Sequence, residues 1–202
     1  LFLAFSGEEN GLWGSNYFSK NSTIDLTTVD FMINMDMVGR MNEEKTLAIN
    51  GVGTSPIWMN KIEAANTDTL KLVTSESGIG PSDHTSFYLQ DLPVLHFFTG
   101  QHEDYHRPSD DSDKINYHGM VKVVRLIERL IVSLDQEEKI AFTKTKDDSA
   151  DSPRFTVSLG VVPDYLYDGQ GMRIDGVSED KPAQKAGMQK GDIVMKLGDS
   201  TI

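Results

Sequence analysis

Residues 7–15 read GEENGLWGS, directly after an apolar stretch, LFLAFS, at residues 1–6. An apolar run that ends in a glycine-rich loop reads as a buried strand entering a turn, with a helix opening at residues 15–19. The loop carries two adjacent acids, Glu8 and Glu9. Neighbouring carboxylates repel each other, and burying them near a strand end is costly without a compensating cation. A metal supplies that cation: one acid ligates it, and the other stays free to handle a proton. The stretch therefore points to metal-assisted hydrolysis.

Working outward, the same alternation repeats. Residues 29–36 (VDFMINMD) form a second apolar run ending in an acid, Asp36. Residues 46–50 predict a short strand. Ser55 caps a predicted helix that turns Ile57, Trp58, Ile62 and Ala65 inward. Residues 82–89 predict a short capped helix, and residues 93–98 (PVLHFF) a buried strand. Residues 117–134 predict a long helix, apolar on more than one side and so well buried. Strands alternating with helices indicate an α/β domain. Residues 135–154 are charged and polar, as expected for a helix end followed by a linker. From residue 155 come short β-like runs, many glycines and one short helix at residues 181–186. The expected division is a first domain at 1–138, a linker at 139–154 and a small β-rich unit at 155–202.

Composition narrows the function. The 202 residues carry a formal net charge of −12, which argues against nucleic acid as a partner, because phosphate binding needs basic patches. No apolar stretch approaches the roughly 20 residues that span a bilayer, so no transmembrane segment is expected. There are no cysteines, so a metal must be held by imidazole and carboxylate groups, which suits zinc.

Three predicted strand ends carry such groups: Glu8 and Glu9 after the first, Asp36 at the end of the second, and His106 just beyond PVLHFF. Strand ends on one side of an α/β sheet are where ligands bind. Taken singly, each residue also has a structural reading: Asp36 as a turn cap before Gly39, His106 as an exposed loop histidine. Of the other histidines, His96 reads as a satisfied core residue, and His102 and His118 as solvent-facing.

Four motifs, GEENGLWGS, NMDMVGR, SDHTSF and YHRPSDDSDKI, occur in that order. Over about residues 1–134 they resemble the di-zinc aminopeptidases of clan MH. The resemblance implies a three-layer zinc-exopeptidase sheet with helices on both faces. It implies peptide substrates, cleaved at the amino-terminal residue by a zinc-activated water. Glu8 would be the general base, Glu9 and His106 ligands of one zinc, and Asp36 a ligand of the other. Tyr105 would hydrogen-bond the oxyanion, or else serve packing. Asp83 and His84 would orient the ligands, with a helix cap as the other reading of Asp83. Family members carry a further His-x-Asp motif upstream of the Glu-Glu loop. Its absence implies that these residues are the later part of the peptidase domain and are inactive alone.

Residues 155–202 resemble a PDZ domain whose last helix and strand lie beyond residue 202. Ser158, Leu159, Gly160 and Val161 match the loop and strand that receive a peptide C-terminus. The pairing of the two domains implies a bacterial periplasmic or secreted enzyme. A scaffold with a degenerate peptidase fold and a glutaminyl cyclase-like enzyme are the alternatives.

Overall fold

Four five-residue strands, β1 (Met32–Asp36), β2 (Thr46–Asn50), β3 (Lys71–Ser75) and β4 (Val94–Phe98), form one mixed sheet in the order β1-β4-β2-β3. β1 runs parallel to β4 and β2 parallel to β3, whereas β2 and β4 are antiparallel. This is seen in a computed structural model, which describes residues 1–145, 159–163, 167, 169–177 and 181–202. The chain divides into two compact units, Leu1–Thr99 with Asn116–Ala150, and Gly100–Ile115 with Asp151–Ile202.

In the first unit, side chains alternate across the sheet, so each strand serves two faces. Leu47, Ile49, Leu95, Phe97 and Ile33 point to one face. There they meet Trp58 and Ile62 of α2 (Trp58–Ala65) and Val123, Leu126 and Leu130 of α4 (Tyr117–Leu134). Val94 points to the other face and packs with Phe87 and Tyr88 of α3 (His84–Tyr88), against Phe18 of α1 (Trp13–Lys20) and Phe5. Helices therefore cover both faces, as the α/β reading expects. The fully buried Trp58 anchors the larger core. Its indole N–H donates to Thr54 Oγ1 at 3.0 Å, and Phe31 meets its ring edge-on at 5.8 Å. Burial of a side chain this size contributes about 3 kcal/mol.

α4 begins where its cap is tied down. Asn116 accepts the Gly119 N–H at 2.9 Å, and its amide donates to the Met41 carbonyl at 2.9 Å. The Asn116 N–H also donates to the Gly39 carbonyl at 2.8 Å. A Cβ at position 119 would lie 2.7 Å from that of Met41, so only glycine fits this approach. The helix thus holds the segment that follows Asp36.

Several expectations are corrected. Residues 1–6 form no strand: among the described residues no strand pairs with them, and Leu1 and Phe2 are exposed. Only Phe5 packs, 5.7 Å from Phe18 and 5.8 Å from Phe87. α4 buries one stripe, Val123, Leu126, Ile127, Leu130 and Leu134, while Val121, Val124 and Val132 are exposed. Ser55 does not cap α2; its hydroxyl is buried without a hydrogen-bond partner, and the helix starts at Trp58 after a 3₁₀ turn at Val52–Thr54. Asp83 precedes α3 but makes no side-chain cap. β3 was not expected at all.

Residues 140–145 pack on the first unit: Ile140 joins the core, and Phe142 lies 5.5 Å from the Tyr88 ring. In the second unit, β5 (Val161–Pro163), β6 (Met172–Val177) and β7 (Ile193–Val194) form an antiparallel sheet in that order. β8 (Lys196–Leu197) and β9 (Ser200–Thr201) form a hairpin, and α5 spans Pro182–Lys185. The Ala183 N–H donates to the Leu159 carbonyl at 2.9 Å, and Gly160 is buried with φ +80°. Ser158 and residues 146–154 of the expected linker lie outside the described residues.

Candidate active site

The sheet register builds a polar row into an apolar sheet. Asn34 of β1 stands opposite His96 of β4, and His96 stands opposite Asn50 of β2. Alternation puts all three, with Asp36, on the face opposite Leu95 and Phe97. The Asn50 amide lies 3.2 Å from His96 Nδ1. With that amide donating, a neutral ring carries its proton on Nε2. Nε2 faces Asp36 Oδ2 at 3.6 Å, beyond hydrogen-bond range. His84, the first residue of α3, stacks on His96 with ring centroids 4.5 Å apart. It is fully buried, and neither ring nitrogen has a hydrogen-bond partner. Burial first, and then the neighbouring His96, pull its pKa down to about 3.

Asp36 ends β1 because Met37 turns the chain at φ +50°, with its carbonyl accepting a hydrogen bond from the Thr99 hydroxyl. The Ser82 hydroxyl donates to Asp36 Oδ2 at 3.1 Å and accepts from the Asn34 amide at 2.8 Å. Contact with His96, aided by Ser82 and opposed by burial, holds the Asp36 carboxyl below its usual range.

The Glu-Glu loop is wound tightly. The Glu8 carbonyl accepts from the Gly11 and Leu12 N–H groups, and the Gly7 carbonyl accepts from those of Asn10 and Trp13. Gly7 and Gly11 adopt φ +68° and +102°, where side chains are strained. The Ser15 and Ser86 hydroxyls, 2.9 Å apart, tie α1 to α3. This brings the loop beside the Ser82–Asp83 turn. Burial, and then the charges of Glu9, Asp36 and Asp83, raise the Glu8 pKa, with Ser82 opposing. Four carboxylates of this unit therefore share one locality, and a buried oxygen of Asp83, Oδ1, lacks a hydrogen-bond partner. No group of three or more metal-binding side chains is assembled as a ready cage among the described residues. The donor chemistry nevertheless fits a cation: hard oxygens, mutually repelling, in a partly buried site.

In the second unit, His106 lies in a loop at φ +57° and is exposed. The Tyr105 ring stacks on it, with centroids 3.8 Å apart. Asp83 and His84, expected to orient ligands, do lie by Asp36 and Glu8. The residues that touch Asp36, however, are Ser82 and His96, with Asn34 and Asn50 behind them, and the sequence reading gave none of these four a role. For Asn34, Asn50 and His96 the signal was present as polar residues within apolar strands, MINMD, TLAIN and VLHFF.

Residues 1–131 match the model of peptidase family M28. The chain belongs to peptidase family M28. Among solved structures, this M28 chain resembles the LapA aminopeptidase of Legionella pneumophila, with TM-score 0.54 and 23% identity over 66% of this chain and 38% of that one. It also resembles BSAP, a zinc aminopeptidase from Bacillus subtilis, with TM-score 0.55 and 22% identity over 71% of this chain and 38% of that one. A glutaminyl cyclase from Bacteroides thetaiotaomicron gives TM-score 0.51 and 21% identity over 68% and 49%. At these identities the likeness is one of fold. The M28 chain spans less than two fifths of the length of either aminopeptidase. Comparison with curated protein sequences gives no match. Among the described residues, no helix is long and apolar enough to cross a membrane.

Proposed function

We propose that the full-length protein is a zinc-dependent aminopeptidase that removes the amino-terminal residue of peptides. The observation that carries this is the gathering of Glu8, Glu9, Asp36 and Asp83 in one partly buried locality, in a chain of a peptidase family. Glu9, Asp36 and His106 would hold zinc, with two ions per site in the full-length protein. Bound zinc supplies a Lewis acid and makes a water molecule more acidic. Glu8 takes a proton from the attacking water and returns one to the departing amine. A carboxylate left off the metal can serve as base and then as acid at one site. The Ser82 hydroxyl and the Asn34 amide fix the orientation of Asp36, and His96 keeps that carboxylate charged. Tyr105 would donate to the developing oxyanion.

The small β unit is read as a PDZ domain, with Leu159, Gly160 and Val161 receiving a peptide C-terminus. Support comes from the motif string, from the left-handed Gly160 and from β5, which pairs with β6 alone among the described residues. A bacterial periplasmic or secreted location follows from the same family pairing. The fold likeness to a glutaminyl cyclase supports a second reading, cyclisation of amino-terminal glutamine.

An assay of full-length protein with aminoacyl-nitroanilides separates these readings. Hydrolysis that is lost to a chelator and restored by zinc is expected. Cyclisation of glutaminyl peptides without aminoacyl hydrolysis would favour the cyclase. Peptide binding with neither activity would favour a scaffold.

A further inference from the structure

The segment that carries His106 has no strand and no α-helix. Its one regular element is the 3₁₀ turn Ser112–Lys114. His106 itself sits in the left-handed region at φ +57°, a conformation that costs on the order of 1 kcal/mol and persists only where surroundings enforce it. A metal-binding side chain must be held to within about 0.5 Å of its working position. A loop of turns needs an anchor to achieve that.

Asp104 has the character of one. Residues 106–114 of this segment are exposed, yet the Asp104 side chain is only 9% accessible. Its Oδ1 accepts from the Ser109 hydroxyl at 2.7 Å and from the Lys114 ammonium at 2.5 Å. Its carbonyl accepts from the Arg107 N–H at 2.9 Å, so backbone and side chain both reach across His106. The contact with Lys114 closes residues 104–114 into a ring that contains His106. A carboxylate this sheltered is costly unless its charge is matched, so the ring stays closed while Lys114 is in place.

We propose that Asp104 is a positioning residue: with Lys114 and Ser109 it clamps the loop that presents His106, and thereby sets how tightly that imidazole holds zinc. The proposal rests on the reading of His106 as a zinc ligand. Asp104 itself touches neither metal nor substrate in this role. It acts by limiting the directions in which the imidazole can point.

The test measures zinc affinity of the full-length protein by competition with a chromophoric chelator, beside kcat and KM. Asp104→Asn and Lys114→Met should each weaken zinc binding about tenfold, the size seen when groups that orient a ligand are removed. Lys114→Arg keeps the charge and should retain affinity. kcat at limiting zinc should fall with KM little changed. A merely structural role would lower the melting point of metal-free protein and leave the affinity of the folded protein intact, which would overturn the proposal. His106→Ala is the control. If it weakens zinc binding while folded Asp104→Asn and Lys114→Met do not, the clamp is wrong and the ligand assignment stands. If His106→Ala leaves zinc affinity unchanged, the ligand assignment fails and the clamp with it. Should Asp104→Asn not fold, Ser109→Ala removes one contact without stranding a charge. A severalfold weaker affinity is expected there, and an unchanged one contradicts the clamp.

Discussion

His84 is a fully buried imidazole with no hydrogen-bond partner for either nitrogen, so the folded chain keeps it neutral. Its pKa falls from 6.5 to about 3. In the unfolded chain the ring takes up a proton below pH 6.5, and the folded state does not follow until about pH 3. Stability attributable to this group is therefore full above pH 6.5 and is lost as pH falls, by about 1.4 kcal/mol per unit. Denaturant titrations at pH 7 and pH 5 should show roughly 2 kcal/mol more acid loss in the parent than in His84→Phe. Equal losses would mean that His84 is not held neutral. At this scale the sequence was only partly legible. Glu8, Glu9 and Asp36 announce themselves as acids after apolar runs. Ser82 does not, because its role depends on one hydroxyl proton aimed at Asp36 from another segment. His96 was read as a satisfied core residue, yet only its Nδ1 is paired, and its partner Asn50 is set by an antiparallel register that no local pattern encodes.

Thr54 shows how one element end governs its neighbours. Its hydroxyl oxygen accepts the Trp58 indole N–H and the Val94 backbone N–H, and its single proton can serve the Gly51 carbonyl at 2.7 Å. Thr54→Val keeps the volume but strands these buried groups, so a loss of about 2 kcal/mol is expected by denaturant titration. A loss below about 0.5 kcal/mol would show that the groups find other partners. Elements with strong internal signals were legible. Residues 46–50 and 117–134 match β2 and α4 to the residue, because a short apolar run and a long stretch rich in apolar positions mark them locally. β3 was missed because KLVTS is short and only half buried at the sheet edge. Residues 1–6 were read as a strand from hydrophobicity alone, but a strand also needs a partner, and none pairs with them among the described residues. The burial of α4 was overread because its exposed face carries valines and an isoleucine that resemble core.

Across the molecule, motif order was the most legible property, and membership of the M28 family agrees with it. The α/β layering followed from alternation of strands and helices, and the sheet is indeed covered on both faces. Strand order and the antiparallel step between β2 and β4 were not legible, since they depend on pairings between distant segments. In the proposed reaction Glu8 moves protons while other groups hold the metal. The most direct test is Glu8→Gln in the full-length protein, with hydrolysis of an aminoacyl-nitroanilide and zinc content measured on the same sample. Loss of hydrolysis by at least about a hundredfold, with zinc content unchanged, is predicted. Hydrolysis that persists in the zinc-loaded variant would contradict the assignment of Glu8 as the base.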